Sequence, residues 1–468
     1  MIAGAGITGL ASAYYLHKFF QEKNIPVEIT LLEKDSRLGG KINTLYRDGF
    51  VIERGPDSFL GRKMPIIHLT RELGLENELT GTNPKARKNY ILHKGKLHLM
   101  PPGLMLGIPT QLAPFLKTGL LSPLGKLRAG LDLVLPKRKE TGDQSLGDFI
   151  KRRLGSELHD RLVEPLLAGI YAGDTSKLSL RATFPQFEAA EQKHRSLILG
   201  MLANKRRIPV TKGLPELAKK SMFLTYTKGL TRLINRLEEV LSPKVRILKE
   251  TALTSITKSG QGYTLTTNQG MTLTAEAVIL ALPAPVSASL LEKLASTARL
   301  LHQVNYVSVA NVVLAYDADQ IKHPLDASGF VVPNGEGLDI TACTWTSSKW
   351  LHTAPPGKVL LRCYVGREGA EEIVFRSDEE ILQRVRRDIK ATMGIEATPI
   401  FHEITRLPHS MPQYPVGHLE HLQKVRDELA EKLPGIILAG SGFQGVGIPD
   451  CVGQGETAAK EVYQFLTG

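Results

Sequence analysis

The chain has 468 residues, 42% of them hydrophobic and 23% charged. That composition can bury a sizeable core across roughly two to four domains and excludes a disordered polymer. Three cysteines, Cys343, Cys363 and Cys451, lie far apart without CxxC spacing. Neither a disulfide framework nor a structural zinc site is therefore expected, and a reducing, cytoplasmic compartment is. No run of about twenty uncharged apolar residues is present, so no spanning helix is expected. The chain opens directly on a glycine motif, so a secretory signal is not expected either.

That motif, Gly4-Ala5-Gly6-Ile7-Thr8-Gly9, matches GxGxxG. Its first glycine permits a tight turn, its second lets a phosphate approach the backbone, and its third lets the next helix pack closely. The apolar run Leu10–Leu16 supplies that helix, with its N-terminus facing the phosphates. Val27–Leu32 then reads as a strand ending at Glu33, an acid placed to accept hydrogen bonds from a ribose diol. Only Met1-Ile2-Ala3 precede the first glycine. A central first strand ordinarily supplies five or six residues, so the natural start is expected upstream. Arg37-Leu38-Gly39-Gly40-Lys41 offers a second glycine turn beside two cations, and Glu53-Arg54-Gly55-Pro56-Asp57-Ser58 a stiff turn after Phe50–Ile52.

Further along, charge concentrates. The formal net charge is +12, and eleven basic residues stand between Lys85 and Lys139 against one acid, Asp132. The stretch from Leu97 to Leu202 reads as helical. Within it Ser145 and Asp148 form a loosened capping box, and Leu146, Phe149, Ile150, Leu154, Leu158, Leu162 and Leu166 mark one buried helix face. Gly229-Leu230 opens an amphipathic helix running to Leu241. Val245–Leu248, Ala252–Ile256, Gly262–Leu265 and Met271–Leu273 alternate as a meander of short strands. Val278–Leu282 and Gly435–Gly440 read as buried strands of a parallel sheet, and Thr341–Thr346 and Val359–Val365 as strands of a second sheet.

The segments GAGITGL, LLEKDSRLGGK and ERGPDSFL resemble the FAD-binding start of the flavin amine-oxidase and porphyrinogen-oxidase superfamily. Glu164–Asp174 (EPLLAGIYAGD), Lys177–Ser179, His409–Tyr414 and the closing Gly442–Cys451 resemble the porphyrinogen oxidases of haem synthesis, most closely the soluble Gram-positive type. The resemblance spans nearly the whole chain. It implies an α/β fold in which a discontinuous Rossmann-like FAD-binding domain (1–56, 223–285 and 398–468) carries an α+β substrate domain (57–96, 203–222 and 286–397) and a helical insertion (97–202). It also implies site residues. Gly4, Ala5, Gly6, Ile7, Thr8 and Gly9 would hold the FAD pyrophosphate, with Glu33 and Lys34 at the ribose and Gly40 and Lys41 at a further phosphate or ribose contact. Gly55, Pro56, Asp57 and Ser58 would pass close to the isoalloxazine ring. Leu253 would meet the adenine through its backbone, Leu407 would lie near the flavin, and Val446, Gly447 and Ile448 would lie at the pyrimidine edge. Lys63 is a candidate for a substrate propionate, or simply an exposed lysine.

The implied reaction is a six-electron oxidation of coproporphyrinogen III to coproporphyrin III, with O2 as acceptor and hydrogen peroxide as product. Protoporphyrinogen IX is the alternative substrate. Such chemistry needs position and orientation more than an acid–base pair, so no catalytic residue is assigned. No GxSxG, HExxH or GxxxxGK[ST] occurs. No metal is expected; His418 and His421 read better as surface or core histidines. An amine-oxidase-like or carotenoid-desaturase-like flavoprotein, and a non-enzymatic scaffold docking haem-pathway proteins, are the other readings. The basic segment admits three: a solvated face, a funnel for the anionic substrate, or a surface for an anionic membrane or an acidic haem-pathway protein. It lacks the signatures of a nucleic-acid module, so no nucleic-acid partner is expected.

Overall fold

The computed structural model describes residues 1–206 and 213–468. Part of the segment 203–222 assigned above to the substrate domain therefore lies outside the described residues.

A five-stranded, all-parallel sheet carries the glycine motif. Its strands run in the order Arg246–Leu248, Thr30–Leu32, Ile2–Ala3, Val278–Leu280 and Ile436–Leu438. Ile2–Ala3 is central and short, yet both its flanks are paired: Ile2 opposes Leu31 and Ile279. The apolar residues of the three middle strands (Leu31, Leu32, Ile2, Ala3 and Val278–Leu280) are buried on both faces, as helix-covered parallel strands require, while the edge strands are partly exposed. The first helix, Ile7–Glu22, packs against the last, Ile448–Thr467. Gly455 makes this possible, since a Cβ there would stand 2.6 Å from the Thr8 carbonyl oxygen.

The expected four-strand meander is corrected in one member. Arg246–Leu248 joins the parallel sheet beside Thr30–Leu32, because its backbone groups are claimed there: Glu33 donates its N–H to Leu248 O at 2.9 Å. Leu253–Ser259, Gly262–Thr267 and Thr272–Ala275 do form an antiparallel meander.

A second sheet has seven strands in the order Phe401–Pro412, Tyr306–Asp317, Lys358–Val365, Ile340–Trp345, Gly329–Val331, Tyr90–His93 and Lys96–Leu99. The two strands read from sequence near residues 341 and 359 are at its centre. Phe401–Pro412 also belongs here, paired along Tyr306–Asp317, although the expected boundary at 398 put it with the FAD-binding pieces. Lys96–Leu99 likewise runs across the expected boundary at 97, because it completes a hairpin with Tyr90–His93.

The insertion is helical from Leu112 onward, with short strands at Leu104–Met105 and Ile108–Pro109 before it. Ser145 caps the helix Leu146–Leu154 by accepting a 3.0 Å bond from the Asp148 N–H. The single helix face expected through Leu166 is interrupted at Gly155, whose φ is +87°. Arg128 stops the helix there. Its guanidinium takes the carbonyls of Lys151, Arg152 and Arg153, and its stem fills the space that a Cβ on Gly155 would need. The apolar spacing continues through the break into a π-wound turn, His159–Val163, and then the helix Glu164–Tyr171.

The basic segment divides between two places. Lys85, Arg87, Lys88, Lys94 and Lys96 are exposed at or just before the hairpin edging the seven-stranded sheet, whereas Lys117, Lys126, Arg128, Lys137, Arg138 and Lys139 belong to the insertion. Its one acid, Asp132, is fully buried against Arg153. The exposed charge of the Lys85–Lys139 segment is thus entirely positive.

Candidate functional site: a glycine-walled groove between two helix N-termini

The groove is built from residues whose side chains are missing. Gly4 turns the chain at φ +94°, and a Cβ there would meet Ala281 O at 2.5 Å. Gly9 is packed harder still, with 1.9 Å between its would-be Cβ and Gly4 O. Gly6 differs. Its would-be Cβ has nothing within 4 Å, and it caps the first helix without any side chain reaching the free N–H groups of Ile7, Thr8 and Gly9. Gly39 donates its N–H to Ala5 O at 2.8 Å, which brings Gly40, at φ +57°, opposite Gly6. Two glycine turns from separate segments therefore leave a channel at an uncapped helix N-terminus. That combination of free backbone N–H groups and positive dipole end fits a diphosphate.

Glu33 lies at one end of this channel. Its Oε2 accepts from Ala5 N–H at 2.8 Å and its Oε1 from Asp35 N–H at 3.0 Å. These bonds fix the carboxylate and leave lone pairs for a ribose diol. Lys34 is exposed beside it. The Thr251 N–H donates to Glu33 O at 2.7 Å, so the chain leading to Leu253 runs alongside, with Leu253 buried at the start of the meander.

The other end is held by ion pairs. A Cβ on Gly55 would fall 1.8 Å from Lys41 O, so the turn Gly55–Ser58 lies directly on the second glycine segment. Arg362, buried in the seven-stranded sheet, donates to Gly55 O, and Asn311 Nδ2 donates to Arg54 O at 2.9 Å. Beyond Pro56, Asp57 accepts from Ser58 Oγ at 2.6 Å and from Lys349 Nζ at 3.0 Å. Burial alone would raise the Asp57 carboxyl, but Lys349 and Arg362 outweigh it and hold the group well below the usual carboxylate range. Glu53 goes the other way: burial pushes it up to about 7, against the opposing bonds from Leu230 N–H and Thr44 Oγ1.

Lys41 reaches between these parts. Its ammonium donates to Ser410 O and stands 6.0 Å from the Tyr306 ring centroid; Ser410 Oγ bonds Leu407 O at 2.8 Å. The lysine touches solvent, but protein surrounds its head group in the groove, and that desolvation lowers its pKa. The last helix starts just beyond, at Gly447, again with no side-chain cap, flanked by Val446 and Ile448. Cys451 one turn on is buried and pushed up to about 11 mainly by burial, so it is a packing residue and not a nucleophile. Lys63 reaches the same helix start by pairing with Asp450.

Sequence reading missed Arg362, Lys349, Asn311 and Tyr306. Arg362 left a signal: an arginine inside the apolar run Val359–Val365 requires buried partners. The other three left none. His418 is buried, shares a 2.7 Å bond with Phe443 O, and stacks on Tyr414 at 4.5 Å. Among the described residues no group of three metal-ligating side chains converges.

A family model for flavin containing amine oxidoreductases matches residues 7–463. The chain belongs to that family. Its cofactor is accordingly FAD, and the groove fits it: the glycine channel for the pyrophosphate, the fixed carboxylate of Glu33 for the ribose. Within the family the chain is 46% identical over 467 residues to the coproporphyrinogen III oxidase of Bacillus subtilis, covering 100% of this chain and 98% of that one. It is 40% identical over 467 residues to the coproporphyrinogen III oxidase of Staphylococcus aureus, covering 99% of each. The chloroplastic protoporphyrinogen oxidase of Oryza sativa is more distant, at 31% over 498 residues, with 100% and 88% covered. Among solved structures, a candidate protoporphyrinogen oxidase from Exiguobacterium superposes with a TM-score of 0.87 at 40% identity, covering 100% of this chain and 98% of that one. Cyclohexylamine oxidase from Brevibacterium oxydans shares the fold, with a TM-score of 0.69 at 16% identity over 100% and 99% of the two chains.

Proposed function

We propose that this flavoprotein oxidises coproporphyrinogen III to coproporphyrin III, passing six electrons in three two-electron rounds to O2 and releasing hydrogen peroxide. The observation that carries this reading is the 46% identity, over the full chain, to a relative of that activity. FAD, when bound, supplies the two-electron acceptor. The chain's own residues then have three tasks. The glycine channel and Glu33 anchor the adenosine diphosphate half, Arg362, Asn311 and Lys349 lock the Gly55–Ser58 turn, and Lys41 and the uncapped start of the last helix supply positive potential at the ring end. No side chain is assigned as a base. The test is steady-state oxidation of each porphyrinogen under air, followed by porphyrin fluorescence and peroxide yield. A flavin-loaded protein that oxidises neither substrate overturns the reading, and equal kcat/KM for both removes the coproporphyrinogen preference.

We further propose that the protein is cytoplasmic and that its insertion rests on an anionic membrane surface. Leu112, Leu124 and Leu127 are 71%, 78% and 66% exposed, and Val134 is 66% exposed, in the same stretch as Lys117, Lys126, Lys137 and Lys139. Exposed leucines interleaved with cations favour a lipid surface over a solvated face. No described helix is long and apolar enough to cross a membrane. Co-sedimentation with anionic vesicles and not with neutral ones is expected, and a triple charge reversal of Lys137, Arg138 and Lys139 should weaken it. Unchanged binding would refute a role for that cluster.

A further inference from the structure

The helix Glu164–Tyr171 measures a distance across the cleft between the insertion and the seven-stranded sheet. Its last residue belongs to the ring end of the groove. Gln413 Nε2 donates to Tyr171 O at 2.7 Å, the Tyr171 ring lies 6.0 Å from that of Tyr414, and the charge of Asp450 acts on its phenol. Its first residue, Glu164, stands seven positions earlier, about 10 Å along the axis. There Asn334 Nδ2 donates to Glu164 Oε1 at 2.8 Å, while Asn334 Oδ1 accepts from Arg367 Nη1.

Arg367 is held by the insertion itself. The next residue, Glu368, donates its N–H to Ala172 O at 2.8 Å, and its carboxylate takes Asp174 N–H at 3.0 Å and Lys177 Nζ at 2.7 Å. Its guanidinium, however, has a neutral amide as its one hydrogen-bonding side-chain partner among the described residues. The contrast is Arg153, which is fully buried and paired with Asp132 and Glu191, whereas Arg367 is half-buried. A desolvated guanidinium with a neutral partner keeps its fork of donors for a carboxylate that arrives later.

We propose that Arg367, oriented by Asn334, binds a carboxylate side arm of the porphyrinogen and so contributes to selection of the acidic substrate. The inference rests on the porphyrinogen reading above. A macrocycle with one bridging carbon at the ring end would carry its acidic arms outward by a distance comparable to the length of the Glu164–Tyr171 helix. Beyond Asn334 a cavity of about 180 Å³ continues between the sheet and the insertion, lined by His93, Asp160, Arg161 and Glu336. Arg161 is already paired with Glu157. Asp160 and Glu336 there, partnered only by the His159 and His93 rings and by backbone N–H groups, disfavour deeper entry of a carboxylate and keep it at Arg367.

Glu164 makes the binding depend on pH. Burial pushes its carboxyl up to about 7; Arg367 and Lys151 oppose the rise, and Asp160 and Asp174 add to it. Burial also lowers Arg367, with Glu164 opposing. Below about pH 7 the protonated Glu164 can donate to an incoming carboxylate; above it, the ionised group repels one. Substrate KM should therefore rise with pH through neutrality.

The experiment compares FAD-loaded wild type, Arg367→Met, Arg367→Lys and Glu164→Gln. Coproporphyrinogen oxidation is measured, together with binding of coproporphyrin III and of its tetramethyl ester. We expect Arg367→Met to raise KM by about tenfold or more with kcat within about twofold. It should weaken coproporphyrin III by the same factor and leave the ester unchanged. Glu164→Gln should flatten the pH dependence of KM. Unchanged KM, or equal loss of acid and ester, overturns the proposal. If Arg367→Met does not fold, Arg367→Lys carries the same acid-versus-ester comparison, because it keeps the charge and loses the fork. A wild type that oxidises no porphyrinogen would sink the activity reading instead, while the acid-versus-ester binding arm would still report on Arg367.

Discussion

Lys63 and Asp450 form an ion pair that ties the residue capping the helix Met64–Glu72 to the first turn of the last helix. The lysine considered for a substrate propionate is thus already engaged, with side chains 42% and 28% exposed. At that exposure the pair contributes about 0.2–1 kcal/mol to stability.

Replacing Lys63 by Met should therefore leave the melting temperature nearly unchanged. If the ammonium exchanges Asp450 for a substrate carboxylate, KM for coproporphyrinogen should rise by about threefold to tenfold. Differential scanning fluorimetry and steady-state kinetics check the two parts separately.

The glycines of the first turn should fail in different ways. Gly9→Ala drives a Cβ to 1.9 Å from a backbone oxygen and should cost about 1–3 kcal/mol of stability. Gly6→Val has open space around its Cβ and should fold within about 1 kcal/mol of wild type. It should nonetheless lose about 100-fold or more in FAD affinity, because the side chain occupies the phosphate channel. Chemical denaturation and flavin retention on a desalting column separate the two.

Arg153 holds the insertion together from inside. It bonds Asp132, which also accepts from Ser196 Oγ and from the N–H of Ile198 at 2.9 Å, and it reaches Glu191. Arg153→Met strands buried carboxylates and should cost about 3–5 kcal/mol. Limited proteolysis should then cut between residues 112 and 206 before it cuts the parallel sheet.

Glu53 sets a stability slope. Its folded pKa, about 7, lies above the ordinary value of 4.5. The folded state therefore keeps a proton that the unfolded chain has released, and stability from this group is lost as pH rises from about 4.5 to 7. The stability difference between wild type and Glu53→Gln should change through that window and level off above it, as urea denaturation at several pH values would show.

The local signals in the sequence were legible because each rests on a short-range constraint. Gly4, Gly6 and Gly9 announced a turn and a close helix, Ser145 a cap, and Leu230–Leu241 an amphipathic face, and each stands in the structure as read. What escaped was set by distant partners. Arg246–Leu248 has the alternation of a meander strand, and only the free edge of Thr30–Leu32 decides that it pairs there. Gly155 breaks a continuous apolar stripe because Arg128, 27 positions earlier, fills its flank. The turn Gly55–Ser58 is readable as ERGPDS, but nothing local to it reveals that Arg362, Lys349 and Asn311, far along the chain, hold it.

The strand order of the parallel sheet carries a consequence for synthesis. Its middle strand, Ile2–Ala3, leaves the ribosome first, but its partner on one side, Val278–Leu280, is made some 276 residues later, and the edge strand Ile436–Leu438 later still. Thr30–Leu32 can pair with it early, but the other flank of the glycine turn stays open until Val278–Leu280 has emerged. The inner core of the insertion, held by Arg153, Asp132 and Glu191, is local and can form well before, although its outer residues Tyr171 and Ser179 later bond Gln413 and Tyr414. The nascent protein would then acquire its basic, leucine-bearing lobe before it is able to hold FAD.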